Sequence, residues 1–159
     1  MTSEPNGPVE RGGPNVTFKR LSPDPDWPLP SYASSGSVGL DLSAHLTEPL
    51  TFSPGQIQLV PTGWAVALPA GYEGQVRPRS GLALRKGLTL INSPATIDWD
   101  YRGEIALPMI NLGHKTVVVE RGDRVAQMVI AKVEKAVLTV SQSLEDTRRG
   151  SGGFGSTGR

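Results

Sequence analysis

Gly63-Trp64-Ala65-Val66-Ala67-Leu68-Pro69-Ala70-Gly71 is the stretch that decides the fold. Bulky apolar residues at 64, 66 and 68 alternate with small ones at 63, 65 and 67, the period of two that belongs to a half-buried strand. Pro69-Ala70-Gly71 then reads as a turn. The same grammar continues on both sides. Val38, Leu40 and Leu42 alternate with Gly39, Asp41 and Ser43; Ile105, Leu107 and Met109 repeat the pattern, as do Val117 and Val119. Ser53-Pro54-Gly55, Gly113-His114 and Arg121-Gly122-Asp123 punctuate these runs. One segment carries helical signals: Ser80 as a cap, Leu82, Ala83 and Leu84 as helix formers, and Gly87 as a left-handed stop. About ten short strands up to residue 141 and one helix of barely two turns predict an all-β fold, a jelly-roll-like sandwich or barrel rather than a βαβ arrangement.

The chain has 159 residues, the size of one ordinary domain. Sixteen basic against 15 acidic residues leave a net charge of +1, which argues against sheathing a nucleic-acid polymer or lying on an anionic membrane. Cysteine is absent, excluding disulfides, a thiol nucleophile and cysteine-ligated metal. His45 and His114 have no ligating spacing and read as structural or surface residues, and Trp64 and Trp99 as packing residues. The start of the chain lacks the apolar core of a secretory signal, and no run has the length of a membrane span. The expectation is a soluble, cytoplasmic protein. Residues 1–15 read as a disordered leader, 16–142 as the β-rich core and 143–159 as a flexible glycine-rich lid. The last twelve residues, RRGSGGFGSTGR, hold five glycines and no aliphatic side chain.

Three segments could carry chemistry. Gly150 to Gly155 matches the spacing of a dinucleotide fingerprint, but that motif needs a helix after it, so it is set aside. Arg79-Ser80-Gly81 opens the short helix just past a strand, where amide N–H groups, a hydroxyl and a guanidinium would suit a phosphate. The segment from Asn92 to Glu104, NSPATIDWDYRGE, carries Asp98, Asp100 and Tyr101 in what reads as a polar hairpin between apolar strands. Asp41, on the polar face of the Val38–Leu42 strand, is a surface carboxylate or the holder of a hydrated divalent cation.

Taken in order, SVGLDLSA (37–44), RPRSGLAL (77–84), NSPATIDWDYRGEI (92–105), RGDRVAQMVI (121–130) and RGSGGFGSTG (149–158) resemble the five motifs of the homotrimeric deoxyuridine triphosphatases, the dUTPases. The resemblance covers about residues 16–158. It implies a jelly-roll-like homotrimer with active sites shared between chains, hydrolysing dUTP to dUMP and pyrophosphate with Mg2+ and so keeping uracil out of DNA. On that resemblance Asp98 activates the attacking water. Asn92, backbone groups of Thr96, Ile97 and Asp98, and the strand near Ala106 meet uracil, while Tyr101 packs under the deoxyribose and excludes a 2′-hydroxyl. Arg79, Ser80 and Gly81 hold phosphates with Gln127 nearby, and Asp41 reaches Mg2+ through water. In the tail, Arg149, Ser156 and Thr157 grip the distal phosphates, Phe154 covers the base, and Gly155 is among the substrate-binding residues.

Two residues depart from the family pattern. Ala95 stands where glycine is usual, and Trp99 where a small residue is usual; Trp99 is expected to face away from the water site. The related dCTP deaminases share the fold and the triphosphate handling, but the glycine-rich fifth motif and the TIDWDYRG segment favour the triphosphatase. A trimer kept as a binding module without activity would show degenerate motifs, and these are intact.

Overall fold

The structure, a computed structural model, describes residues 12–153. Among them are eleven strands and one helix: β1 (Thr17–Arg20), β2 (Ser31–Tyr32), β3 (Gly39–Ser43), β4 (Leu50–Phe52), β5 (Ile57–Ala67), β6 (Tyr72–Pro78), α1 (Ser80–Lys86), β7 (Leu88–Leu90), β8 (Ala95–Ile97), β9 (Glu104–Asn111), β10 (Val117–Val119) and β11 (Arg124–Lys132). They form a four-stranded sheet in the order β1-β5-β9-β7, a five-stranded sheet β2-β3-β11-β6-β8, and a ribbon of β10 and β4. Every pairing is antiparallel. The expected all-β, jelly-roll-like sandwich is what the chain forms.

The core follows from the alternation. Along β9 the odd positions, Ile105, Leu107 and Met109, are buried and their even neighbours half-buried. They meet Val60 and Val66 of β5, Leu40 and Leu42 of β3, Val76 of β6, Met128 of β11 and Phe52 of β4 in one cluster. At about 25 cal/mol per Å2 of apolar surface removed from water, this cluster is the main favourable contribution to folding. Asn111, fully buried at the end of β9, is satisfied on every side: Nδ2 donates to the carbonyls of Phe52 (2.9 Å) and Lys115 (2.8 Å), and Oδ1 accepts from the Gly113 amide (2.9 Å).

Gly63 breaks the strand it sits in. Its φ is +73°, and the β5–β9 register shifts between Pro61 and Ala65 around it. A Cβ there would lie 3.0 Å from the His45 ring and 3.1 Å from the Trp27 indole nitrogen, so glycine serves both the bulge and the close packing. Trp64 is buried beneath Phe18 and Arg20, and its indole N–H donates to the Pro28 carbonyl. His45 packs edge-on against Trp27 at 4.8 Å and His114 is exposed, as the sequence reading expected.

Three expectations are corrected. Ser80 does not cap α1: Arg79 holds the cap position with extended dihedrals and no capping side-chain bond, and Ser80 is the first helical residue. Gly87, with φ +69°, ends the helix as expected. The segment 92–104 is not a hairpin, because β8 pairs with β6 while β9 pairs with β5 and β7. Its Asp98–Tyr101 turn therefore crosses from one sheet to the other. Strand structure also stops at Lys132, short of residue 141: Val137, Leu138, Val140 and Leu144 are each about nine-tenths exposed or more. An apolar, β-prone stretch without a neighbouring edge in its own chain has nothing to pair with.

Candidate active site

Asp41 projects from the middle of β3, flanked in the sheet by Ser31 of β2 and Gln127 of β11. It is not a solvated surface carboxylate. Oδ1 receives Arg79 Nε at 3.2 Å, Oδ2 receives Arg124 Nη1 at 3.0 Å, and its side chain is 16% exposed. Arg79 Nη1 also donates to the Arg124 carbonyl at 3.1 Å. Gln127 donates through Nε2 to the Pro78 carbonyl at 3.1 Å. These residues, with Ser80 and Gly81, line a cleft of about 610 Å3. Four basic residues, Arg79, Arg85, Lys86 and Arg124, stand in its walls against two carboxylates, Asp41 and Asp123. Asp123 accepts the Glu120 amide at 3.0 Å. The surplus of guanidinium and ammonium groups suits a polyanion.

Gly39 is part of this geometry. A Cβ there would lie 2.4 Å from Gln127 Oε1, so the absence of a side chain on β3 gives the glutamine amide its seat. The sequence reading passed over Gly39 as a small neighbour and did not single out Arg124, although both lie inside the first and fourth motifs.

The second group lies elsewhere. Thr96 and Ile97 close β8, opposite Gln75 and Gly74 of β6. Asp98 follows, exposed, its carbonyl accepting the Tyr101 amide at 3.1 Å. The Tyr101 hydroxyl donates to the Glu104 carbonyl at 3.0 Å and its ring leans over Gly103, where a Cβ would lie 2.3 Å from the hydroxyl oxygen. Asn92 is exposed at the start of the same segment, and Ala106 is half-buried on β9 opposite Pro61. Ala95 takes strand geometry, paired with Val76, so its departure from glycine is accommodated without a turn at that position. Trp99 is 39% exposed rather than packed in the core, and its carbonyl accepts from Arg102.

One chain does not bring the two groups together. Ile97 pairs with Gly74, five residues before Arg79 on an extended strand, which is about 16 Å of rise. Asp98 thus lies at the end of β6 remote from the basic cleft. Arg149 is exposed, bonded through Nε to the Gly152 carbonyl, and does not line the cleft. Phe154, Gly155, Ser156 and Thr157 lie outside the described residues.

A sequence model of the dUTPase family matches residues 25–158, most of the chain. The chain belongs to the dUTPase family. A deoxyuridine 5′-triphosphate nucleotidohydrolase of Rickettsia felis is 57% identical over 130 residues, covering 82% of this chain and 88% of its own. One from Desulfotalea psychrophila is 55% identical over the same share of this chain and 87% of its own. In fold, a mutant dUTPase of Staphylococcus bacteriophage 80alpha solved with dUpNHpp superposes with a TM-score of 0.80 at 22% identity, over 91% of this chain and 99% of that one. A mutant dUTPase of phage phi11 described with a structural Mg(II) ion gives 0.73 at 20% identity, over 83% and 99%. No helix among the described residues is long and apolar enough to cross a membrane.

Proposed function

We propose that this dUTPase-family chain hydrolyses dUTP to dUMP and pyrophosphate in a homotrimer whose sites are each assembled from more than one subunit. The observation that carries the reading is the split just described: phosphate-binding chemistry at one end of β6, and Asp98 with its nucleoside-binding neighbours at the other. A second copy placed against the first closes that gap. The exposed apolar surface supplies a reason to associate, with Ile57 and Leu59 on the outside of β5 and Val137, Leu138 and Val140 on the arm beyond β11.

In this reading Arg79, Ser80, Gly81 and Gln127 bind the triphosphate and offset charge that would repel an incoming water. Asp98 orients that water toward the α-phosphorus and takes its proton as attack proceeds, a role contributing ~10²–10⁴-fold. Asn92 and the strand backbone at Thr96–Asp98 read the uracil edge, where a cytosine would leave polar groups unpaired. Tyr101, braced on Gly103, fills the space of a ribose 2′-hydroxyl. The lid, residues 143–159, closes over the site, Arg149 reaching the phosphates.

The donor set fits Mg2+ in one form. Among the described residues no three His, Cys, Asp or Glu side chains gather into a cation cage. A single carboxylate, Asp41, is suited to a hydrated ion that enters with the substrate's phosphates. Such an ion would supply further charge neutralisation on the triphosphate.

Incubating the protein with dUTP, dCTP and UTP in the presence of Mg2+ tests the reading. Pyrophosphate from dUTP alone is expected; ammonia from dCTP would mean a deaminase, and no product a binding module.

A further inference from the structure

We infer that Asp41 competes with polyphosphate for two guanidinium groups, and that Arg124 joins Arg79 in the phosphate grip. The inference deepens the proposed phosphate half of the site and rests on that reading. Each oxygen of Asp41 receives a different arginine, Arg79 at 3.2 Å and Arg124 at 3.0 Å. Arg79 is tied a second time to the Arg124 carbonyl, so the two cations lie side by side with one carboxylate between them. Two positive groups sharing one negative charge remain short of acceptors. A phosphate chain carries more charge and more oxygens, and a guanidinium fork matches it in two-point geometry.

The exposures point the same way. The Asp41 side chain is 16% exposed, against 32% for Arg79 and 54% for Arg124, so the carboxylate lies behind and the arginines lie toward the cleft. Asp41 and Arg124 also line a smaller hollow of about 310 Å3 beside Trp27 and Trp64, which leaves the Arg124 side chain room to turn. Its backbone lies where the β11–β3 register shifts, between Arg124 and Ala126. When phosphate takes the arginines, the carboxylate is freed, so a single contact set serves in two arrangements.

The test is calorimetric binding of inorganic tripolyphosphate to the full chain in chelator-treated, metal-free buffer. Arg124→Gln is expected to weaken binding ~10-fold, the loss of one charge-assisted contact. Asp41→Asn is expected to tighten it ~3–10-fold, because the amide surrenders its claim on both arginines. In the Asp41→Asn/Arg124→Gln double variant most of that gain should vanish. A carboxylate that merely scaffolds the site would give the opposite sign on removal. Weaker or unchanged binding by Asp41→Asn, or by Asp41→Ser if the first variant does not fold, overturns the inference, as does unchanged binding by Arg124→Gln or no binding by any form. Variants that show these shifts, with a wild-type protein that ignores dUTP, would overturn the substrate reading instead.

Discussion

Gly103 carries no side chain because Tyr101 occupies the space: an added Cβ would lie 2.3 Å from the phenolic oxygen. Gly103→Ala should therefore swing the ring off its seat and break the hydroxyl's bond to the Glu104 carbonyl. The expected result is a fall of ~10-fold in the preference for dUTP over UTP, with thermal stability nearly unchanged because the turn is exposed; competitive turnover assays read it. Asp98→Asn keeps the shape and removes the proposed base. Turnover should fall ~10²–10⁴-fold while calorimetric affinity for a non-hydrolysable dUTP analogue is retained, and activity near wild type would place the base elsewhere. The residues proposed for chemistry, such as Asp98 and Arg79, stand inside the motifs. Gly39 and Gly103 were not legible there, because their contribution is space, and space is visible only against the atom that fills it. Arg124 was missed because its partner, Asp41, lies 83 residues away in the chain.

Alternation identified β5, β9 and β10 from sequence, because period two reports which face is buried. It does not report which edge a strand joins, so the 92–104 segment read as a hairpin when β8 and β9 belong to different sheets. The joins between elements depend on polar contacts that no periodicity reveals. Asn111 ties β9 to the carbonyl of Phe52 on β4 and to the 111–115 turn. Asn111→Ala leaves those groups buried without partners and should cost about 2–4 kcal/mol in urea unfolding. Another join holds the segment before β2. Arg121 stacks on Trp27 at 4.5 Å and pairs with Asp24 at 2.7 Å. The Asp26 amide, and after it Arg121, hold the Asp24 carboxyl below its usual value. A depressed folded-state pKa gives stability that is present above the unfolded value and lost as pH falls through the folded one. Acidification below about pH 4 should loosen this clasp, and tryptophan fluorescence should shift less in Arg121→Ala, where the clasp is already open.

At the scale of the molecule, the all-β class was readable, while the assembly was not, since periodicity says nothing of copy number. The exposed arm from Val137 to Leu144 is the structural sign that a single chain leaves apolar surface uncovered. Removing residues 149–159 should leave a folded assembly of unchanged copy number with turnover reduced at least ~10²-fold, because the proposed role of the tail is closure and not core. Light scattering and steady-state kinetics check the two halves of that statement, and unfolding on truncation would refute the lid.

The distance along β6 between Arg79 and the Asp98 loop has a genetic corollary. With sites shared between subunits as proposed, two defective alleles, one lesioned at each end of that strand, should complement when expressed in the same cell, since mixed oligomers would still contain some intact junctions.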